Sequence, residues 1–343
     1  MSGEEDPFAS RQPSPTRSEE PVAPALSYAA AGVDIAAYSR MLERVKPLIA
    51  ATQDAGVLTG VGPFAGLYEL PGGRGFLAAS ADGVGTKIKV AIACGRHRGI
   101  GHDLVNHCVN DVATAGARPL FLLDYFASGR LDADVYEQVM TGLSEACQEN
   151  GCALLGGETA EMPGVYALGD YDLAGFVVGL VEADAARDPV LAGDLLVGLP
   201  SNGLHTNGYS LVRKVFEDVS VDHLFPELGR PLGEELLEPH RSYLRELRTL
   251  PWKAAAHITG GGLLDNLPRA LPPGLAAELD RSAWSVPEIF RLVARRGRID
   301  EDEMLGTFNM GLGMVLVTAE PLPGLPVVGR VVEQAGGRRV LLK

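Results

Sequence analysis

An α/β protein of two domains is what this sequence predicts, on three observations. Through residue 182, apolar runs of strand character alternate with segments whose apolar residues recur at helical spacing. A polar stretch carrying Pro189, residues 183–193, then interrupts the pattern and divides the chain into domains at 25–184 and 185–343. From Leu195 the order strand, glycine-rich loop, helix begins again, and 343 residues are enough for two separate cores.

Residues 1–24 are rich in Pro, Ser and Glu and poor in large apolar side chains. Such a stretch cannot offset the entropy of ordering, so a disordered tail is expected. Order should begin near Ser27 and Tyr28. Ile35, Tyr38, Leu42, Val45 and Ile49 then predict an amphipathic helix that Pro47 should kink or restart. A glycine-rich connection (56–66) and a hairpin turn at Pro71-Gly72-Gly73 lead into a strand ending near Asp82. A helix is expected over about 103–115, with Leu104, Val105, Cys108, Val109 and Val112 as its buried stripe and Gly116 as its stop. A strand at 119–127 and a helix over about 133–149 follow, the latter burying Val135, Val139, Leu143 and Ala146 and ended by Gly151. Residues 156–164 read as a loop with two carboxylates, and 172–182 as a strand.

In the second half the pattern gives a strand at 195–199, a polar loop at 200–208 and a helix over about 209–219. Gly260-Gly261-Gly262 opens another helix. Ser285 should cap a helix built on Val286, Ile289, Phe290 and Val293, and 308–317 reads as a strand with glycines. No internal repeat is present.

Composition narrows the function. No uninterrupted apolar run reaches the length needed to span a bilayer, so no membrane role is expected. The net charge of −14 argues against nucleic acid as a partner, since phosphate-backbone binding needs clustered Lys and Arg. Cys94, Cys108, Cys147 and Cys152 form no Cys-x-x-Cys pair and read as reduced cysteines. With no charged-then-apolar leader, a cytoplasmic location is expected.

Acids and glycines gather where strands give way to helices. Asp82-Gly83-Val84-Gly85-Thr86-Lys87 combines a carboxylate, a base and two residues without Cβ, which suits a magnesium ion and the phosphates it carries. The spacing fits neither the common phosphate loop nor Gly-x-Gly-x-x-Gly, and a polar tight turn would explain this loop taken alone. Asp111, Glu158 and Glu161 add hard oxygen donors from other elements. Ser201-Asn202-Gly203 and Thr259-Gly260-Gly261-Gly262 precede helices, where exposed N–H groups attract anions. His205 lies among polar residues, which favours a functional role. His97, His102, His107, His223, His240 and His257 show no metal spacing and are read as structural or surface residues.

Several blocks carry a resemblance. They are residues 27–35, Asp82-Gly83-Val84-Gly85-Thr86-Lys87, residues 103–111, 156–164, 205–214, 257–262 and 308–314. Together and in this order they resemble the aminoimidazole ribonucleotide synthetase family, also called phosphoribosylformylglycinamidine cyclo-ligase. The resemblance covers the chain from about Ser27 to Met314. It implies a mixed α/β (α+β) subunit of two domains, the first contributing its sheet to a dimeric barrel and the second a mixed sheet flanked by helices. It also implies a homodimer that uses ATP and Mg2+ on a small ribonucleotide, formylglycinamidine ribonucleotide, to give aminoimidazole ribonucleotide, ADP and phosphate. On this reading Asp82, Asp111 and Glu158 hold magnesium, and Gly83, Gly85, Thr86, Lys87, Asn110 and Lys46 serve ATP. Ser201, Asn202, Gly203, Thr259, Gly260, Gly261 and Glu161 meet the ribonucleotide. His205, Lys87 and Asp82 are the expected catalytic residues.

Two departures stand out. Ala81 occupies a position where the family commonly has threonine, and residues 320–329 carry three prolines in place of a usual helix. An irregular proline loop is expected there. The rival readings are another ATP-using kinase or synthetase of the same superfamily, such as thiamine-monophosphate kinase or selenophosphate synthetase, and a catalytically silent nucleotide-binding dimer.

Overall fold

A computed structural model describes residues 25–182 and 187–343. The expected tail at 1–24 and residues 183–186 of the expected boundary lie outside the described residues. In chain order the elements are α1 (Ile35–Ala50), β1 (Gly66–Glu69), β2 (Phe76–Gly83), α2 (Lys87–Cys94), α3 (Arg98–Thr114), β3 (Arg118–Ser128), α4 (Ala133–Glu149), β4 (Ala153–Glu161) and β5 (Tyr171–Val181). There follow β6 (Leu195–Pro200), α5 (Tyr209–Val215), α6 (Leu232–Leu236), α7 (Leu244–Thr249), β7 (Ala254–His257), α8 (Gly262–Asn266) and β8 (Leu275–Leu279). The chain finishes with α9 (Glu288–Gly297), α10 (Glu301–Thr307), β9 (Leu312–Thr318), β10 (Val327–Glu333) and β11 (Val340–Leu342).

Two mixed sheets organise these elements. The first, in the order β1-β2-β5-β3-β4, is a curled half-barrel in which only β3 and β4 run parallel. The second has the order β11-β8-β10-β6-β9-β7, with a single parallel pair, β11 and β8. Strict alternation along β5 sends Leu173, Val177 and Val181 into the core and Asp172 and Phe176 outward. Helices α3 and α4 cover the inner face. They approach closely because Gly101 and Gly142 meet at the crossing: a Cβ on Gly142 would lie 1.9 Å from the Arg98 carbonyl oxygen. Among the described residues no helix is long and apolar enough to cross a membrane.

Helix α3 has no solvent face over most of its length. Leu104, Val105, Cys108 and Val112 pack into the first core, while Asp103, Asn106, His107, Asn110 and Asp111 are buried against the second half of the chain. Asp103, Asn106 and Asn110 share one side of the helix and grip the segment 238–243. Asp103 Oδ1 accepts from His240 N at 2.7 Å, Asn106 Nδ2 donates to His240 O at 2.7 Å, and Asn110 Nδ2 donates to Arg241 O at 2.9 Å. Asn110 Oδ1 also accepts from Tyr243 N at 2.7 Å.

Lys87 completes this seam. Its fully buried ammonium donates to Asp103 Oδ1 at 2.8 Å, His205 O at 3.1 Å and Glu238 O at 2.7 Å. All three protons are therefore used inside the protein. The N-terminal segment also reaches the second half: Leu26 N donates to Gly297 O at 3.2 Å, and Tyr28 N donates to the Glu303 carboxylate.

Several expectations change on contact with the structure. Residues 156–161 are not a loop: they extend edge strand β4, paired in parallel with β3 as far as Ser128 and Glu161. Helix α1 runs through Pro47 without restarting, and Tyr38 and Val45 of its apolar stripe are exposed. Helix α3 begins at Arg98 rather than 103, and α2 precedes it; near-complete burial of α3 and the shortness of α2, where only Lys89 and Ala93 are exposed, leave little periodicity to reveal them. Pro287, not Ser285, occupies the N-cap of α9, and α5 stops at Val215 rather than 219. The proline-rich segment does lack a helix; it buries Leu322 and feeds directly into β10.

Replacing Lys87 by Met leaves Asp103 with only the His240 N–H and takes the lysine donor from the carbonyls of His205 and Glu238. Urea unfolding of Lys87→Met should show a loss of about 3–5 kcal/mol; a loss under about 1 kcal/mol would mean that the seam does not depend on this cation.

Candidate active site

Strand β2 supplies the first two members of the site. Ser80 and Asp82 face α3 because they alternate along the strand, standing opposite Val177 and Gly175 of β5. Helix α3 contributes His107 and Asp111, one turn apart. His257 is the last residue of β7, and Thr206 and His240 come from the loops after β6 and α6.

These seven side chains close a ring of polar contacts. Asp111 Oδ1 is 2.8 Å from His257 Nδ1, His257 Nε2 is 3.0 Å from His240 Nε2, and His240 Nδ1 is 3.3 Å from Thr206 Oγ1. Thr206 Oγ1 is 2.9 Å from His107 Nδ1, and His107 Nε2 lies 3.5 Å from Asp82 Oδ1. The Ser80 hydroxyl spans the two acids, at 3.4 Å from Asp82 Oδ2 and 3.1 Å from Asp111 Oδ2. One tautomer set fits the contacts from Asp111 to His107. His257 donates from Nδ1 to Asp111, His240 donates from Nε2 to His257, Thr206 donates to His240, and His107 donates from Nδ1 to Thr206.

Burial dominates the electrostatics. It pushes Asp82 and Asp111 above the usual carboxylate range; His107 opposes this at both acids, while Asp111 adds to the rise at Asp82. Burial also pulls His205, His240 and His257 well below the ordinary imidazole value, with neighbouring positive groups adding to the effect. These three are neutral imidazoles at physiological pH.

Two adjacent carboxylates with raised proton affinity are a site short of positive charge. Their hard oxygens, with a hydroxyl between them, fit Mg2+. His107, Asp111 and His257 also offer ligand atoms that all lie within 4.8 Å of one another. Arg269 acts electrostatically on Asp82 and Asp111 and lines a cavity of about 590 Å³ together with Tyr28, Tyr38, Gly260, Asp265 and Asn266. The glycine loop before α8 thus borders a cavity whose arginine acts on the acids.

The expected site residues are distributed unevenly. Asp82 and Asp111 do meet, and Gly83, Gly85 and Thr86 form the exposed turn next to Asp82, with Thr86 Oγ1 3.1 Å from Ser210 Oγ. Glu158 does not join them: it stands opposite Tyr125 on the outer face of the sheet, while Asp82 points to the inner face. Three strand spacings also separate β2 from β4, about 14 Å. Glu161, at the end of β4, accepts from Leu131 N at 2.8 Å. Ala81 shares the outer face, so the missing threonine hydroxyl would point away from Asp82.

Lys87 and Asn110, expected to serve ATP, are both buried and bonded within the interdomain seam. Lys46 sits half-exposed on α1, paired with Glu43. His205 is enclosed at positive φ (60°), stacked on His240 with ring centroids 4.0 Å apart. Asn202 Oδ1 holds its Nε2 at 3.0 Å, and its Nδ1 has no partner among the described residues. Ser201 donates to Asn309 Oδ1 at 2.9 Å and the Gly203 carbonyl accepts from Asn309 Nδ2 at 2.9 Å, so that loop is braced from behind. Thr259 is buried, Gly260 exposed and Gly261 buried at φ 89°.

Sequence reasoning set aside His107, His240 and His257, which the fold gathers from separate elements, so no linear metal spacing exists to be read. The one available signal was His107 and Asp111 at i, i+4 on one helix.

Comparison with known proteins gives two family matches: AIR synthase related protein, N-terminal domain, over residues 53–181, and AIR synthase related protein, C-terminal domain, over residues 192–338. The phosphoribosylformylglycinamidine cyclo-ligase of Myxococcus xanthus (strain DK1622) is 52% identical over 306 residues, spanning 86% of this chain and 89% of its own. That of Thermoanaerobacter sp. (strain X514) is 46% identical over 333 residues, spanning 91% and 99%. Among solved structures, AaThiL complexed with AMPPCP and TMP shares the fold at a TM-score of 0.61 and 16% identity, covering 88% of this chain and 92% of that one. With both of its domains matched, the chain belongs to the AIR synthase family.

Proposed function

We propose that this chain is an ATP-dependent cyclo-ligase that closes formylglycinamidine ribonucleotide to aminoimidazole ribonucleotide, releasing ADP and phosphate. The carrying observation is the Asp82–Ser80–Asp111 cluster, backed by His107 and His257, in a chain 52% identical to a relative named for that reaction. No observation favours the rival kinase, synthetase or silent-binder readings.

Asp82 and Asp111 would hold Mg2+, which when bound neutralises phosphate charge. The chain's own residues supply the rest. The exposed residues Gly85 and Thr86, and Gly260 at the Arg269 cavity, would offer amides to phosphate oxygens, with Arg269 adding fixed positive charge beside Gly260. An amide oxygen leaves poorly, so transfer of the γ-phosphoryl group to it creates an iminophosphate whose phosphate departs readily. The amidine nitrogen of the same molecule then attacks that carbon, and the ring closes with the advantage of an intramolecular reaction. His205 would reach substrate only if the loop 200–208 parts, whereas Asp82 is already partly accessible.

We also infer a homodimer. The outer face of the first sheet presents Tyr125 at 37% and Phe176 at 43% exposure beside the half-buried Leu123 and Val178, and nothing among the described residues covers it. Two curled sheets placed face to face would bury these side chains and close a barrel. A cytoplasmic enzyme acting on a small soluble ribonucleotide is consistent with these features.

Purified protein given Mg2+, ATP and formylglycinamidine ribonucleotide should release ADP and aminoimidazole together, and only with both substrates present; ADP without aminoimidazole would point to another substrate. Chelating the metal with EDTA should stop both products. Asp111→Asn should fold normally by circular dichroism yet lose about a hundredfold or more in turnover. Phe176→Glu should convert a dimeric sedimentation boundary to a monomeric one, and an unchanged boundary would remove this face from the interface.

A further inference from the structure

The C-terminus of α4 is closed by a pair of crossed backbone bonds. Cys152 N donates to Cys147 O at 2.9 Å, Gly151 N donates to Gln148 O at 3.1 Å, and Gly151 takes the left-handed conformation (φ 62°) that the turn demands. This is the Schellman arrangement, in which the side chains three residues before the cap and two after it touch, usually as an apolar contact. Here both positions are cysteine. Cys147 and Cys152 are buried free thiols that this turn sets side by side. Neither belongs to the site described above.

We propose that Cys147 and Cys152 are a redox pair, closing to a disulfide when a small peroxide reaches the α4–β4 junction. The local geometry suits the bond, because the backbone hydrogen bond already draws the two residues together. The Cys152 thiolate attacks one oxygen of hydrogen peroxide, the O–O bond breaks, and a sulfenic acid forms as hydroxide leaves and takes up the proton that the Cys152 thiol gave up. Cys147 sulfur then attacks the sulfenic sulfur, the S–O bond breaks, and the departing oxygen leaves as water with the Cys147 proton. In sum, two thiols give two hydrogens and two electrons, and the peroxide becomes two waters. Cys152 is the less deeply buried of the two, at 6% against 2% exposure, and leads directly into exposed β4, which makes it the attacking sulfur. Access comes from β4, an edge strand exposed over most of its length just beyond Cys152.

The ring so formed encloses Asn150, which connects three parts of the molecule. Asn150 Nδ2 donates to Asn106 Oδ1 at 2.8 Å, and its Oδ1 accepts from Ser242 Oγ at 2.6 Å. Asn106 in turn donates to the carbonyl of His240, a member of the site's ring. Tightening the turn at Asn150 therefore bears on the interdomain seam, and oxidation should lower turnover.

The test uses the full-length protein. After graded hydrogen peroxide and alkylation, peptide mapping should find Cys147 and Cys152 joined, unlabelled and lighter by two hydrogens, with Cys108 still labelled; dithiothreitol should restore both thiols. In Cys147→Ala, dimedone should trap a sulfenic acid on Cys152. Peroxide should lower ADP formation about threefold in the native chain and leave the Cys147→Ala/Cys152→Ala double variant unaffected. Full labelling of both cysteines after peroxide, or over-oxidation of Cys152 without a cross-link, overturns the pair. Equal loss of turnover in the native chain and the double variant overturns the coupling through Asn150. The mapping of the native chain depends on no variant, so misfolding of a substituted protein leaves that arm intact.

Discussion

The buried polar side of α3 is the constraint that shapes the rest of the molecule. A helix enclosed on both sides can carry Asp, Asn and His only if another part of the chain satisfies every donor and acceptor. The segment 238–243 meets most of this need with backbone groups, Lys87 adds a buried cation that also takes the carbonyls of His205 and Glu238, and Asp103 Oδ2 alone on this side has no partner among the described residues. The requirement fixes how the two sheets are set against each other. The ring of histidines and acids then assembles at the end of this seam from residues contributed by both halves.

Such an arrangement explains why the acids can be adjacent at all. Burial raises the cost of ionising both Asp82 and Asp111, and Asp111 adds to it at Asp82, yet His107 and His257 stand within reach to share charge or protons. The site is held ready for a cation by surroundings that already tolerate its two carboxylates. Preorganisation of this kind limits the rearrangement needed when charged ligands arrive.

Much of the fold was legible from periodicity. The aromatic and aliphatic content of β3 and the helical stripe of α4 are strong signals, and Asp82 and Asp111 could be paired from their place beside glycines and on a buried helix. Other features were hidden for physical reasons. Helix α2 is apolar on nearly all sides, so it shows no stripe, and the glycines of β4 imitate a loop although parallel pairing with β3 makes them a strand. The separation of Glu158 from Asp82 was not legible because side-chain face depends on register, which is decided by pairing partners distant in sequence. His240 and His257 carry no local signal, since their role exists only once 130 or more residues of intervening chain have folded back onto α3. Lys87 sits in a motif that looks made for phosphate, and only three-dimensional neighbours show its protons already taken.

That same seam sets an order of events during synthesis. Asp103 leaves the ribosome 137 residues ahead of His240, whose amide it must accept. At ordinary elongation rates the interval is roughly seven to twenty-seven seconds. For that time α3 lacks the segment 238–243, and on this side only Lys87 at Asp103 and Asn150 at Asn106 stand in for it. The nascent N-terminal half cannot dock its own polar row, so its final packing waits on the C-terminal half, and the two domains mature as one cooperative unit.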